Sequence, residues 1–306
     1  MVKVLVLGAS GMAGSMVVQW LKLASRFDLS ASVRDPEILK LCSEKNPDIS
    51  WHLLDWPALT DDSWRGAFQG VDWVINAIGV IKPYIDDQDV EKVINAIQVN
   101  GILPHVAANL ASECGAHLLN ITTDCVFSGS RGSYSEEDPH DAVDVYGKSK
   151  SIGEVYVASA SHIRCSIVGP ESGGRQSSLL EWFLSQPPNA EIFGFTNHLW
   201  NGVTTLHFAK ICQGIIDNDF QFGHLHHLTP KGRVTKSELL SVFGEEFGRE
   251  DVSIVPTDAK VASNLTLASN SNAVNDELWR MAGYSDPPTV KDMVKELAEF
   301  SGKYWD

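Results

Sequence analysis

A tyrosine and a lysine stand four residues apart in the segment Tyr146-Gly-Lys-Ser-Lys150. On a helix this spacing places both side chains on one face, one turn apart. Tyrosine, with a reference pKa of about 10, is a poor acid at neutral pH, but a nearby ammonium group favours the phenolate and lowers that pKa. The pair could therefore protonate a substrate oxygen, with Lys150 also free to hold a ribose. On most helices the same spacing is only a surface tyrosine stacked over a lysine side chain.

Hydroxyl side chains follow a predicted strand at residues 117–121, where the chain continues as Thr122, Thr123 and Asp124. We expect this strand to lie beside the glycine loop of the first strand, so that Thr123 stands at the carboxyl edge of the sheet. A hydroxyl group there can donate a hydrogen bond to a substrate oxygen as charge develops on it. The combination of this hydroxyl with the tyrosine and lysine is more specific than either alone.

A glycine motif supplies the third element of the pattern. Gly8, Gly11 and Gly14 form G-x-x-G-x-x-G directly after the predicted strand Val2–Leu7 and open the predicted helix Met12–Ala24. Backbone without side chains can turn tightly and approach a pyrophosphate, whose charge is stabilised at the helix N-terminus. The alternative is a tight turn with close helix packing. The motif predicts a dinucleotide site, and the predicted cofactor contacts in this loop are Gly8, Ser10, Gly11, Met12 and Gly14.

The end of the second predicted strand bears on the choice of cofactor. Arginine at this place accepts a 2′-phosphate, whereas an acidic residue binds the ribose hydroxyls. Arg34 stands there, so NADP(H) is favoured, although Asp35 follows directly and NAD(H) stays possible if its carboxylate points inward. Asp55, after the third strand, is placed to meet the adenine amino group. Small residues after the fourth strand would lie against the cofactor, and these are Ala77, Ile78 and Gly79.

Apolar runs alternate with amphipathic stretches over the first part of the chain, which is the pattern of parallel strands joined by helices. The predicted strands are Val2–Leu7, 29–33, 51–54, Trp73–Asn76, 117–121 and 163–168, and the predicted helices are Met12–Ala24, 36–43, 61–68, 90–114 and 145–160. This pattern predicts an α/β fold with a Rossmann-type doubly wound parallel sheet at residues 1–170, to which some later segments return. Residues 171–306 are expected to form a smaller mixed α/β lobe that binds substrate.

Charge and cysteine content exclude several classes of protein. The 24 basic and 39 acidic side chains give a net charge of -15, which opposes binding to nucleic acid. Five cysteines without a C-x-x-C pair argue against a disulfide framework and a zinc site, and we expect no metal. The histidines at 224, 226 and 227 fit an ordinary strand of the small lobe. Without a leader segment or a long apolar run, we expect a cytoplasmic protein with no membrane contact.

Taken together, these segments resemble an extended short-chain dehydrogenase/reductase, and within it the dTDP-4-dehydrorhamnose reductase family. The similar segments include Gly8–Gly14, Asn76–Gly79, Thr122–Gly129, Tyr134–Asp138, Val145–Glu154 and Arg164–Gly169. The resemblance implies that Thr123 is the catalytic hydroxyl, Tyr146 the general acid and Lys150 its partner. It also implies that Asn100 supports the site as an expected cofactor contact, together with Tyr146 and Lys150. Arg164 is implied to lie near the nicotinamide end.

The same resemblance implies reduction of a nucleotide-linked 4-keto-6-deoxysugar. The expected substrate contacts are Lys82, Thr123, Asp124, Val126, Phe127, Tyr146 and Trp200. Two alternatives stay open: an epimerase that keeps NAD(P) tightly bound, and a regulatory subunit that binds NADP(H) without catalysis. A dehydratase is disfavoured because Asp124-Cys125 replaces an Asp-Glu pair. In the family, helices such as 90–114 and 145–160 often form a dimer contact, so a homodimer is expected.

Overall fold

Seven parallel strands form the central sheet in the computed structural model of the protein, which describes residues 1–56, 62–171 and 177–304. The strands in chain order are β1 (Val2–Leu7), β2 (Phe27–Val33), β3 (Ser50–Leu53), β4 (Trp73–Asn76), β5 (His117–Thr122), β6 (Ala160–Arg164), β7 (Ile167–Val168), β8 (Glu191–Phe195), β9 (His198–Trp200), β10 (Val203–Thr204), β11 (Leu225–His227), β12 (Val234–Thr235), β13 (Ser253–Thr257) and β14 (Ser263–Asn264). The central sheet has the order β3-β2-β1-β4-β5-β6-β11. The predicted Rossmann-type fold is confirmed, but β4 lies between β1 and β5, so the strand before Thr123 does not adjoin the first strand.

Helices cover the sheet on both faces. They are α1 (Met12–Ala24), α2 (Pro36–Lys45), α3 (Asp62–Phe68), α4 (Val90–Ala96), α5 (Leu103–Cys114), α6 (Val145–Ile152), α7 (Leu179–Leu184), α8 (Thr205–Asn218), α9 (Lys236–Glu246), α10 (Asn272–Met281) and α11 (Val290–Tyr304). None of the helices within the described ranges is both long enough and apolar enough to cross a bilayer.

Strand β1 shows why the sheet is buried on both faces. Successive side chains of a strand point to opposite faces, and Val4 and Val6 belong to one hydrophobic cluster while Leu5 and Leu7 belong to another. All four side chains are fully buried. A continuous apolar run is therefore what this position requires, as in other parallel sheets covered on both sides.

The predicted long helix at 90–114 is helical throughout but not uniform. Between α4 and α5 the residues Ile97–Ile102 form a π-helical segment. Such segments are rare and frequently occur at functional sites. This one contains Asn100, whose side chain is buried.

The structure corrects two of the predicted elements. The helix predicted at 145–160 ends at Ile152, with Gly153 as its C-cap. Gly153 lies against the π-helical segment, where a Cβ atom would approach the Asn100 carbonyl oxygen to 2.0 Å. The strand predicted at 163–168 is divided into β6 and β7. The predicted start of the third helix at Asp61 lies outside the described residues.

Later segments return to the central sheet, as expected. The histidine-containing strand β11 pairs in parallel with β6, so it belongs to the central sheet. The alternation of its residues had suggested a strand of the small lobe, and that prediction is wrong. Helix α8 packs on α1, with the Trp20 Nε1 donating to Gln213 Oε1 at 2.5 Å. Small sheets formed by β7 with β10, β8 with β13, and β9 with β12 and β14 build the remainder. The boundary at residue 170 stays a prediction.

Candidate active site

The glycine loop after β1 has the geometry of a pyrophosphate cradle. Gly8 has a φ of +77°, a conformation that favours glycine. A Cβ atom on Gly14 would lie 2.3 Å from the Gly8 carbonyl oxygen, and one on Gly11 would lie 3.3 Å from it. Because the turn leaves no space for side chains and α1 begins directly after it, the loop fits a dinucleotide phosphate group at the helix N-terminus.

Two adjoining cavities of about 370 and 330 Å³ form one groove along the carboxyl edge of the sheet. They share residues of the glycine loop and of the segment after β4, namely Gly11, Ala77, Ile78, Gly79, Val80 and Tyr84. One end contains Gly8, Ser10, Ser32, Arg34 and Trp56, and the other contains Met12, Thr123, Asp124, Tyr146 and Lys150. Most of the predicted cofactor and catalytic residues therefore lie along one continuous groove.

At one end of the groove, Arg34 and Asp35 have different surroundings. Arg34 is exposed and lines the cavity. The Asp35 carboxylate instead caps α2, accepting hydrogen bonds from the Glu37 and Ile38 backbone amides at 2.8 and 3.1 Å. This capping role fixes Asp35 at the helix start, which leaves Arg34 available to a ligand. Asp55, predicted near adenine, is outside the described lining, although its neighbour Trp56 belongs to it.

Asn100 connects two segments that border the groove. Its Oδ1 accepts from the Val80 amide at 2.8 Å, and its Nδ2 donates to the Val80 carbonyl at 2.9 Å and to Ser149 Oγ at 3.1 Å. The side chain thus joins the segment after β4 to helix α6. Asn100, expected as a cofactor contact, is not among the described lining residues.

Helix α6 carries the tyrosine and lysine to the other end of the groove. The Asp144 carboxylate caps this helix by accepting from the Gly147 amide at 2.8 Å. Gly147 allows close contact, because a Cβ atom there would lie 2.2 Å from the Cys125 carbonyl oxygen. Lys150 is buried and donates to the Ile121 carbonyl at 3.0 Å. Burial lowers the pKa of Lys150 to about 8, an effect that the negative charge of Glu154 opposes.

The pKa of Tyr146 differs from the sequence-based expectation. Burial raises this pKa above its ordinary value, the neighbouring Cys125 and Asp124 side chains raise it further, and a hydrogen bond with the Thr123 side chain lowers it. The expected lowering by Lys150 is therefore wrong. A raised pKa keeps the phenol protonated at neutral pH, which is the form that a proton donor needs.

Thr123 and Asp124 lie beside the tyrosine. The Thr123 hydroxyl donates to Asp124 Oδ1 at 3.1 Å and accepts from the Cys125 amide at 3.2 Å. Asp124 is buried, and this burial raises the pKa of its carboxyl group while the charge of Lys236 lowers it. The structure thus brings Thr123, Asp124, Tyr146 and Lys150 together.

The other predicted substrate residues have different positions. Lys82 Nζ lies 2.7 Å from the Asp144 carboxylate and 5.8 Å from the centroid of the Tyr146 ring. Trp200 donates from Nε1 to Ser166 Oγ at 2.7 Å, and Ser166 lines the groove. Val126 and Phe127 instead belong to a small hydrophobic cluster with Tyr134 and Leu267, outside the described lining.

A buried polar network next to the site was missed by the sequence analysis. Arg164, implied to lie near the nicotinamide end, is fully buried, donates to the Glu154 carboxylate at 2.5 Å and is not among the described lining residues. Glu154 also accepts from Thr122 at 2.8 Å, and Arg164 contacts His140 and His227. Only the pairing of distant segments brings these residues together, so no local signal reveals them. The described residues contain no group of three or more His, Cys, Asp or Glu suited to a metal ion.

Several known proteins are similar to this chain in sequence. A family model described as RmlD substrate binding domain matches residues 2–300. The chain is 24% identical over 254 residues to methionine adenosyltransferase 2 subunit beta of Danio rerio, covering 72% of this chain and 77% of that protein. It is 30% identical over 155 residues to the spore coat polysaccharide biosynthesis protein SpsK of Bacillus subtilis, covering 50% and 47% of the two chains.

Solved structures share the fold at low sequence identity. A dTDP-4-dehydrorhamnose reductase from Bacillus anthracis in complex with NADP has a TM-score of 0.72 and 17% identity, over 97% of this chain and 98% of that one. A UDP-glucuronic acid 4-epimerase from Bacillus cereus in complex with NAD has a TM-score of 0.71 and 16% identity, over 97% and 96%. The family model covers nearly the whole chain, and the protein therefore belongs to the RmlD substrate binding domain family.

Proposed function

We propose that this protein is an NADPH-dependent reductase of a nucleotide-linked 4-keto-6-deoxysugar. The observation that carries the proposal is the single groove that joins the glycine loop at one end to Thr123, Tyr146 and Lys150 at the other. A dinucleotide along this groove would bring its nicotinamide to the tyrosine. The Bacillus anthracis structure that shares the fold is a reductase in complex with NADP, which agrees with this function.

The proposed reaction converts the ketone into an alcohol by adding a hydride to carbon and a proton to oxygen. The cofactor, when bound, supplies the hydride. The Thr123 hydroxyl has one proton, so it turns from Asp124 Oδ1 to donate a hydrogen bond to the ketone oxygen as negative charge develops there. The Tyr146 phenol, kept protonated by burial, then transfers its proton to that oxygen. Lys150 remains on the Ile121 carbonyl, from which its other ammonium protons can hold a ribose hydroxyl.

Arg34 supports the choice of NADPH. Its guanidinium is exposed at the cavity edge, where it can bind a 2′-phosphate, while the competing Asp35 carboxylate is occupied as a helix cap. NAD(H) binding stays possible, as the Bacillus cereus epimerase contains NAD.

Two alternative functions would give different results in an activity assay. An epimerase of this fold would convert a nucleotide sugar without net oxidation of NADPH. A regulatory protein would bind NADP(H) without any turnover, and the relative from Danio rerio carries the name of a subunit. Such a binding role does not require Thr123, Tyr146 and Lys150 together, so their presence favours a reductase.

The test is the loss of NADPH absorbance with a panel of nucleotide-linked 4-keto-6-deoxysugars. Tyr146→Phe removes the proton and should lower kcat by about a hundred- to ten-thousandfold. Tyr156→Phe is the matched control, because that tyrosine lies on a separate cavity with His224 and should keep full activity. Conversion of a sugar without NADPH oxidation would replace the proposal with the epimerase, and cofactor binding without conversion would replace it with the regulatory role.

A homodimer is the proposed assembly. Apolar side chains are exposed along the helical segment 90–114 and on α6, and an exposed apolar patch of this kind commonly marks an interface. They are Val90, Ile94, Ile97, Ile102 and Ile152. Light scattering should give the mass of two chains for the wild type and of one chain for Ile94→Glu, whereas Val261→Glu at another exposed site should not change it. A wild-type monomer would contradict the dimer.

The cytoplasm is the proposed location. All five cysteines are free thiols, and two of them, Cys165 and Cys212, are buried. Unpaired thiols are typical of a reducing compartment. Fractionation of the cells that make the protein tests this proposal.

A further inference from the structure

Lys236 enters the neighbourhood of the active site from the second lobe. It is the first residue of α9, directly after β12, whose Val234 pairs with Trp200 on β9. A capping box fixes this helix start: Thr235 accepts from the Glu238 amide at 3.1 Å, and the Glu238 carboxylate accepts from the Thr235 amide at 2.7 Å. The backbone of Lys236 is therefore held in a defined place.

A lysine is an unfavourable choice for this position. The N-terminal end of a helix carries partial positive charge, so the first turn favours acidic side chains and disfavours a cation. The Lys236 ammonium is also partly removed from water, and this burial lowers its pKa, while the negative charge of Asp124 raises it. Helix stability does not explain the residue, which points to a role for the ammonium itself.

The Lys236 ammonium differs from the other lysines near the groove. Lys82 is paired with Asp144, and Lys150 donates to the Ile121 carbonyl. Lys236 Nζ lies 5.4 Å from the centroid of the Trp200 ring, yet it has no hydrogen-bond or ion-pair partner among residues 1–56, 62–171 and 177–304. An ammonium group has three hydrogen-bond donors, so the Lys236 ammonium is free to donate to an oxygen atom of a bound ligand.

The position of Lys236 relative to the reacting carbon suggests which oxygen. Lys236 lies over Trp200, whose Nε1 donates to Ser166 Oγ in the lining of the groove at 2.7 Å. Its charge also acts on Asp124, which follows Thr123 in that lining. In a nucleotide-linked 4-keto sugar, the diphosphate is attached to C1, across the pyranose ring from the ketone at C4. A sugar with its ketone at Thr123 and Tyr146 can therefore extend its diphosphate towards the second lobe.

We infer that Lys236, supported by Trp200, binds a phosphate oxygen of the substrate's diphosphate and so positions the sugar for reduction. This inference rests on the proposed substrate class. The chain has a net charge of -15, so an anionic ligand needs a local cation to overcome the general repulsion. Lys236 supplies that cation on the lobe opposite the glycine loop, separate from the cofactor's phosphates.

The test measures binding of nucleoside diphosphates by calorimetry to the protein saturated with NADPH. Lys236→Met keeps the aliphatic part of the side chain over Trp200 and removes the charge. It should weaken binding of dTDP or UDP at least tenfold and reduce the salt dependence of that binding. Binding of thymidine or uridine and of NADPH should stay unchanged. Lys231→Met, at an exposed lysine of the same lobe, is the matched control and should leave every affinity unchanged.

Several outcomes would overturn the inference. These are unaltered diphosphate binding by Lys236→Met, an equal loss of nucleoside binding, or the absence of diphosphate binding by the wild type. If Lys236→Met does not fold, Lys236→Arg and Lys236→Gln replace it, and only the arginine variant should retain diphosphate binding. Calorimetry does not depend on turnover, so a wild type that binds diphosphates through Lys236 but oxidises no NADPH would disprove the reductase function alone.

Discussion

The two ends of the groove are built in different ways. The cofactor end depends on the backbone of one short segment, in which Gly8, Gly11 and Gly14 allow a tight turn before α1. The other end, proposed to bind the substrate, depends on side chains from three distant segments, represented by Thr123, Tyr146 and Ser166. The first end is therefore a local property of the sequence, whereas the second exists only after the whole chain has folded.

The largest effect is expected at the cofactor end, from Gly14→Ala. The new methyl group would lie 2.3 Å from the Gly8 carbonyl oxygen, a backbone atom that can move only if the cradle opens. NADPH affinity, measured by fluorescence titration, should fall more than a hundredfold. Gly66→Ala is the control: it meets no atom within 4 Å in helix α3, and the change should raise helix stability by up to about 1 kcal/mol. A Gly14→Ala protein that binds NADPH normally would show that the close packing does not form the site.

The same difference explains how far the sequence could predict the structure. Strands β1 and β4 and helix α1 have the predicted bounds, because their apolar runs and glycine signals are local. The end of α6 was missed, and its C-cap Gly153 lies against the Asn100 carbonyl. That contact joins segments distant in the sequence.

Side-chain environments were harder to predict than positions. Tyr146 and Lys150 lie in the groove as expected, but the pKa of Tyr146 is raised because burial and the neighbouring Asp124 both disfavour the phenolate. Arg164 was expected at the nicotinamide end and is instead buried against Glu154. Burial is set by tertiary packing, which a motif does not report.

A second prediction concerns pH and the substrate end. Lys150 carries its charge below its pKa of about 8 and loses it as the pH rises through that value. If the ammonium holds the cofactor ribose, kcat/KM for NADPH should fall about tenfold per pH unit above this point. Tyr146 does not contribute to this decrease, because its raised pKa keeps the phenol protonated in the same range.

Lys150→Arg provides the control for this pH profile. Arginine stays charged throughout the range, so the alkaline decrease should disappear even if the maximal activity is lower. An unchanged decrease in this variant would assign the titration to another group and would remove Lys150 from the cofactor contacts.

The smallest effect, about tenfold, is expected from Arg34→Ala, which tests whether the cofactor end also depends on a side chain. Loss of the guanidinium should raise KM for NADPH about tenfold and leave KM for NADH unchanged, because only NADPH carries the 2′-phosphate. Asp35→Ala is the matched change at the next residue. It removes the cap of α2 and should cost about 1 kcal/mol of unfolding free energy, measured by urea denaturation, without altering the ratio of the two KM values. If Asp35→Ala changes that ratio and Arg34→Ala does not, the Asp35 carboxylate selects the cofactor. The prediction from the sequence would then have chosen the wrong one of two adjacent residues.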